Sequence, residues 1–159
     1  MRMILVTVGT QLGFDRLIKI VDTIAIDFPT YRFIAQIGNG DYLPLNIDYK
    51  RSYDRDEFDT LFKEADAIVA HAGMGSIISA IESNKPIFIM PRELKFNEHR
   101  NDHQLHTFEK FQGLEGCYGF SDEYSLKTLL VELDLLEAGS INNENINFCH
   151  QLIRLIDSL

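Results

Sequence analysis

Short apolar, β-branched runs alternate along this chain with stretches that carry apolar residues at helical spacing. The alternation predicts an α/β fold with a mostly parallel sheet and helices on both faces. The runs are apolar throughout, as suits strands covered on both sides, and lack the in–out pattern of a half-exposed sheet. Length agrees: 159 residues, 45% of them hydrophobic, bury one core and are too few for two ordinary domains, so 1–159 is expected to form a single domain.

Residues 3–8 (MILVTV) form the first strand, ending at Gly9, and Phe14, Leu17, Ile18, Val21, Ile24, Ala25 and Phe28 follow at helical spacing. Residues 31–37 make the second strand, closed by Gly38, Asn39 and Gly40, and a short extended piece is expected over 49–53. Asp54 or Asp56 can cap a helix that turns Phe58, Leu61 and Phe62 inward and runs to Ala65, before the buried strand 67–70. Gly75 or Ser76 starts a helix through Ile77, Ile78, Ala80 and Ile81 that ends near Asn84, and Pro86 leads into the strand Ile87–Met90. Beyond the polar stretch 92–102 come a helix over 102–111, a short strand over 117–120 and two closing helices. The last, 143–159, sets Ile146, Cys149, Leu152, Ile153, Ile156 and Leu159 on one stripe, which is ordinarily a core face.

Composition removes several classes of function. Fifteen Lys and Arg stand against 24 Asp and Glu, a formal net charge of -9 that repels nucleic-acid backbones and anionic lipids at long range, although it permits a local basic pocket. Cys117 and Cys149 lie far apart with no partner spacing, and no charged-then-apolar leader precedes the first strand, so a cytosolic chain with unpaired thiols is expected. No apolar run approaches the ~20 residues of a spanning helix.

Three loops follow strands and therefore gather at the carboxyl edge of a parallel sheet, where open α/β folds bind ligands. In the central one, His71, Ala72, Gly73, Met74, Gly75 and Ser76 join a buried strand to a helix. The glycines allow close backbone approach, and a helix N-terminus suits an anionic phosphate; a plain tight turn is the alternative reading. Gly9, Thr10 and Gln11 are a weaker copy of the same arrangement. Neither a dinucleotide fingerprint nor a P-loop is present. The third loop carries Arg92, Glu93, Lys95, Glu98, His99, Arg100, Asp102, His103 and Gln104, polar groups of the kind that bind sugar hydroxyls when they are not simply a solvated face. His99, His103 and His106 fall at i, i+4 and i+7, a spacing that can present imidazoles to zinc. The glutamate of zinc proteases is missing and His99 precedes the helix, so no metal is expected.

Taken together, VTVGT near the start, HAGMGS in the middle and PRELKFNEHRNDHQ after the next strand resemble the C-terminal, nucleotide-sugar-binding domain of GT-B glycosyltransferases, family 28, over most of residues 1–120. Within that family the chain resembles soluble subunits of two-chain transferases: the PssE or EpsF type of bacterial exopolysaccharide synthesis, and the catalytic subunit of the dolichol-pathway UDP-GlcNAc transferase. The resemblance implies one Rossmann-like domain equivalent to the C-terminal half of a GT-B fold. It implies that Gly9, Thr10, His71, Gly73, Met74, Gly75 and Ser76 hold the donor diphosphate, with His71 and Ser76 acting in catalysis. Arg92, Glu98, His99, Asp102, His103 and Gln104 would contact donor sugar or ribose, and Tyr53, Asp54 and Arg55 would bind uracil. Many members place a ribose-binding glutamate where this chain has Ser79.

The resemblance also implies a partner: a membrane-associated subunit that binds a lipid-linked saccharide acceptor and supplies the general base, recruiting this chain to the inner face of the membrane. Helix 143–159 is then a candidate for the contact. The expected chemistry is inverting transfer of a hexose or N-acetylhexosamine from a UDP-sugar, with no cofactor beyond that substrate. A UDP-sugar-binding subunit without catalysis is the first alternative. A metal-dependent hydrolase built on the histidines is the second.

Overall fold

The computed structural model describes residues 1–9 and 12–136. Strands β1 (Arg2–Thr7), β2 (Tyr31–Gln36), β3 (Asp48–Lys50), β4 (Ala67–His71), β5 (Ile87–Met90) and β6 (Cys117–Gly119) alternate with helices α1 (Asp15–Ala25), α2 (Arg55–Glu64), α3 (Met74–Glu82), α4 (His103–Phe111) and α5 (Glu123–Val131). Among the described residues the strands form one sheet in the order β3-β2-β1-β4-β5-β6, every pair parallel. The chain winds outward from β1 to one edge, then crosses back beside β1 to build the other. The switch point therefore lies between β1 and β4.

Both faces of the sheet are covered, which explains the continuous apolar strands. On one face Ile4, Val6, Val69 and Phe88 meet Leu17, Ile18 and Val21 of α1 and Leu126 and Leu130 of α5. On the other, Leu5, Ile68, Ala70, Ile87 and Ile89 meet Phe62 of α2, Ile77, Ala80 and Ile81 of α3, and Phe111 of α4. The extended piece expected over 49–53 is realised as the shorter edge strand β3, Asp48–Lys50, which pairs with β2 through Ala35 and Tyr49, while 51–53 lie beyond it in the turn toward α2. Asp54 makes the cap anticipated for α2, a full capping box in which its side chain accepts from the Glu57 N–H while the Glu57 carboxylate accepts from the Asp54 N–H.

One element start is corrected. Helix α3 begins at Met74 with Gly73 as its N-cap, one to two residues before the expected Gly75 or Ser76. Ser76 is thus the third residue of the helix, and no side chain caps the N-terminus. The physical reason is the turn ahead of it: the Gly73 N–H donates to the His71 carbonyl at 2.8 Å, which closes the chain into helix immediately after the strand. Helix 143–159 lies outside the described residues. Among the described residues no helix is long and apolar enough to cross a membrane.

Candidate functional site

Register sets the site. Thr7 at the end of β1 is level with Gln36 of β2 and Ala70 of β4, and His71 is level with Met90 of β5. The chain leaving β1, the β4–α3 turn and the chain leaving β5 consequently converge at one edge. Between them, α2 and α3 enclose a cleft of about 630 Å³ that His71, Gly9, Gly75, Ser76, Gln36 and Tyr53 help to line.

The β4–α3 turn supplies the cleft's anion-binding geometry. The first N–H groups of α3 have no acceptor within the helix, and Gly73 brings no side chain to satisfy them. Their partial positive charge faces a cleft lined by Gly75 and Ser76. His71 stands beside them. A Cβ on Gly9 would come within 3.1 Å of the His71 Nε2 and one on Gly73 within 2.6 Å, so the ring is held between two glycine backbones. Gly9 has φ of 83°, a left-handed conformation that glycine adopts without strain. The Nδ1 of His71 is enclosed and has no hydrogen-bond partner among the described residues, and the same holds for Nδ1 of His99, which also lines the cleft.

Burial first, then the nearby Arg92 and His99 charges, push the His71 pKa down from 6.5 to about 3, so the ring is neutral at pH 7. Folded His71 takes a proton only near pH 3 and unfolded His71 near 6.5. Between those values the unfolded chain binds more protons, and stability falls as pH drops from 6.5 toward 3. Urea melts at pH 7 and pH 5 check this. The wild-type chain is expected to lose more stability over that interval than His71→Gln, and an equal loss in both would show that the imidazole is not held neutral.

The polar side chains of the cleft divide by what they already touch. Arg92, only 2% exposed, reaches across from β5 and donates to the carbonyls of Val8, Leu12 and Gly13, the last at 2.6 Å, clamping the chain that leaves β1. Its backbone N–H donates to the Gln104 Oε1 at 3.0 Å. Gln36 donates to the Gly9 carbonyl and accepts from the Tyr53 N–H at 3.1 Å, tying the β1 loop to the segment before α2. Ser76, Ser79, Arg55 and Asp59, by contrast, line the cleft with no hydrogen bond or ion pair from their side chains to the described residues.

Of the residues singled out in the sequence, Gly9, His71, Gly75, Ser76, Arg92, His99, Gln104, Tyr53 and Arg55 are brought together around this cleft. Gly73 packs beneath the His71 ring, while Met74 joins the apolar cluster under α3. Asp54 caps α2, Asp102 accepts from the Leu94 N–H at 2.9 Å, and His103 is exposed at the start of α4; these three do not line the cleft. Thr10 lies outside the described residues. Glu98 sits in an adjoining hollow of about 1200 Å³ beside α1, where it pairs with Arg16 through two hydrogen bonds of 2.8 and 3.0 Å. His99 and Leu12 border both spaces. His99 turns to the cleft while His103 and His106 are exposed, and no group of three metal-ligating side chains is gathered among the described residues.

Sequence reasoning passed over Gln36, Phe58, Asp59 and Phe62 as parts of the site. Gln36 carried a signal, a polar side chain ending an otherwise apolar strand half. Phe58 and Phe62 read only as core at helical spacing, and Asp59 as one more charge on a polar helix face.

Fold and cleft together define a doubly wound α/β domain with a cleft at the topological switch point of its sheet. The chain belongs to the family described as the glycosyltransferase family 28 C-terminal domain, whose model matches residues 3–145. Curated relatives include the UDP-N-acetylglucosamine transferase subunit ALG13 of Homo sapiens, 34% identical over an alignment of 120 residues, with 67% of this chain and 10% of that protein covered. The same-named subunit of Candida albicans is 32% identical over 95 residues, 60% of this chain and 28% of that protein. The chain thus spans at most 28% of the length of these two relatives. Among solved structures, a solution NMR structure of ALG13 superposes with a TM-score of 0.64 at 17% identity, covering 92% of this chain and 93% of that one. MurG of Acinetobacter baumannii gives 0.60 at 16% identity, covering all of this chain and 50% of MurG. At such identities the structural likenesses speak for the fold.

Proposed function

We propose that this chain is the donor-binding subunit of an inverting glycosyltransferase that moves a hexose or N-acetylhexosamine from a UDP-sugar to a lipid-linked acceptor, in bacterial exopolysaccharide or capsule synthesis. The observation that carries the reading is the uncapped N-terminus of α3 opening into the cleft beside a neutral His71. The names of the curated relatives favour UDP-N-acetylglucosamine as the donor to test first.

In this reading the diphosphate rests on the N–H groups of α3, with Ser76 and His71 donating to its oxygens. An acceptor hydroxyl attacks the anomeric carbon from the side opposite UDP. The bond from that carbon to the β-phosphate oxygen breaks, its electron pair leaves on UDP, and the hydroxyl proton passes to a base on the acceptor-binding subunit. The helix dipole and the two side chains stabilise the charge that develops on the departing oxygen, because they are in place before it appears. The anion in turn favours protonation of His71. The acceptor subunit is membrane-associated and brings this chain from the cytoplasm to the inner face of the membrane. Residues 1–159 act as one domain, with 143–159 contributing to the subunit contact.

Calorimetry with UDP, UDP-N-acetylglucosamine, UDP-galactose and GDP tests the proposal on the purified chain, alone and with its acceptor subunit. Uridine nucleotides are expected to bind, GDP at least tenfold more weakly, and His71→Ala to weaken UDP by about tenfold or more. A folded chain that binds no uridine nucleotide under either condition would overturn the reading. Binding without sugar transfer in the presence of the partner would leave a purely regulatory subunit.

A further inference from the structure

An arginine of α1 holds the loop that follows β5. The Arg16 guanidinium donates to both oxygens of the Glu98 carboxylate, at 2.8 and 3.0 Å, and to the Pro91 carbonyl at 3.0 Å. The Glu93 carboxylate lies 3.4 Å from it, and the centroid of the Phe96 ring lies 4.5 Å from the guanidinium carbon. The loop closes around the same carboxylate. The Glu93 N–H donates to the Glu98 Oε1 at 3.1 Å, and Asn97, in the left-handed region with φ of 56°, turns the chain back so that the Glu98 N–H donates to the Glu93 carbonyl at 3.3 Å. The side chains of Glu98 and Glu93 are only 10% and 17% exposed, so two carboxylates share a largely covered space with Arg16 in contact with both.

His99 comes next in the chain and lines both the cleft and the adjoining hollow. Its side chain makes no hydrogen bond among the described residues, and its Nδ1 is enclosed. The position of the ring is therefore set by the backbone that Glu98 anchors. We infer that Arg16 is a positioning residue: through Glu98 it sets His99 at the cleft and so governs affinity for the sugar part of the ligand without touching the ligand. This rests on the donor-binding reading above. Arg16 borders the hollow and not the cleft, and neither it nor Glu98 makes a hydrogen bond or ion pair to α3, to which that reading assigns the diphosphate. Without Arg16 the two covered carboxylates lose their partner and repel each other, and the turn ahead of His99 opens. A loosened loop must then be ordered by the ligand, at the expense of affinity for the group that it contacts.

Calorimetry with UDP, UDP-N-acetylglucosamine and UDP-galactose tests the inference on wild type, Arg16→Met, Arg16→Lys, His99→Ala and the Arg16→Met, His99→Ala double variant, each checked by a thermal melt. Arg16→Met is expected to weaken the better bound of the two nucleotide sugars about tenfold and UDP by less than about threefold. Arg16→Lys keeps the charge without the planar fork, so it is expected to fall between wild type and Arg16→Met, and it carries the same comparison if Arg16→Met does not fold. Because Arg16 acts through His99, the double variant is expected to bind the nucleotide sugar no more weakly than His99→Ala alone. Unchanged affinities, equal losses for UDP and nucleotide sugar, additive losses in the double variant, or a wild type that binds UDP but neither nucleotide sugar would overturn the role of Arg16 and leave uridine-nucleotide binding standing. Failure of the wild type to bind UDP at all would overturn both.

Discussion

Replacing Arg92 with methionine is expected to destabilise the domain by at least about 3 kcal/mol, the range for a buried charged hydrogen-bonding hub. The guanidinium gathers the carbonyls of Val8, Leu12 and Gly13, which belong to the stretch between β1 and α1 and have no other described donor for that position. A methionine of similar length fills the volume and leaves three acceptors turned inward without partners. Arg92→Lys is expected to recover only part of the loss, since one ammonium cannot match a planar fork that spans three carbonyls. Phe14 adds to the preference for arginine, its ring lying 4.9 Å from the guanidinium carbon. Burial lowers the Arg92 pKa and Glu98 opposes that shift, and the group stays charged. Urea denaturation measures the loss. A Met variant within about 1 kcal/mol of wild type would show that the loop carbonyls are satisfied in another way.

Two alanine substitutions two residues apart in the β4–α3 turn are expected to act in opposite directions on stability and in the same direction on ligand binding. Gly73→Ala places a Cβ 2.6 Å from the His71 Nε2, a distance that forces the buried ring to move, and both stability and UDP affinity are expected to fall. Gly75→Ala meets nothing within 4 Å and sits in the first turn of α3, so it is expected to stabilise the helix by up to about 1 kcal/mol. The added methyl points into open cleft at the place proposed for the diphosphate. UDP affinity is therefore expected to drop about tenfold or more, because a phosphate oxygen must approach the backbone N–H groups directly. Thermal melts and calorimetry on the same samples separate the two quantities. A Gly75→Ala chain that is both more stable and unimpaired in UDP binding would remove the α3 N-terminus as the phosphate site.

Much of the site was legible because it depends on local signals. A buried strand followed by small residues and a helix identified the β4–α3 turn, and the polar stretch after β5 identified the loop that carries Arg92, His99 and Gln104. What these side chains do there was not legible. Arg92, read with the sugar contacts, is 2% exposed and braces a loop 79 to 84 residues earlier in the chain. Glu98 faces the adjoining hollow and holds Arg16, and Asp102 closes a turn within its own loop. A polar side chain in sequence carries its chemistry but not its partner, and partners so distant along the chain are decided by how loops fold over the sheet edge.

The sequence by itself determined the α/β class, the parallel sheet, the order of its elements and the strand ends where a ligand would sit, since apolar periodicity and breaker residues act over a few neighbours. It carried the family through the spacing of HAGMGS and EHRNDHQ. Only the tertiary structure decided that Gly9, Gly73 and His71 pack into one contact, that Gln36 and Asp59 belong to the cleft, and that His103 does not. Those outcomes follow from strand order and register: placing β4 beside β1 brings residues more than sixty positions apart to the same edge, and sheet pairing, a long-range event, is not written in any local stretch.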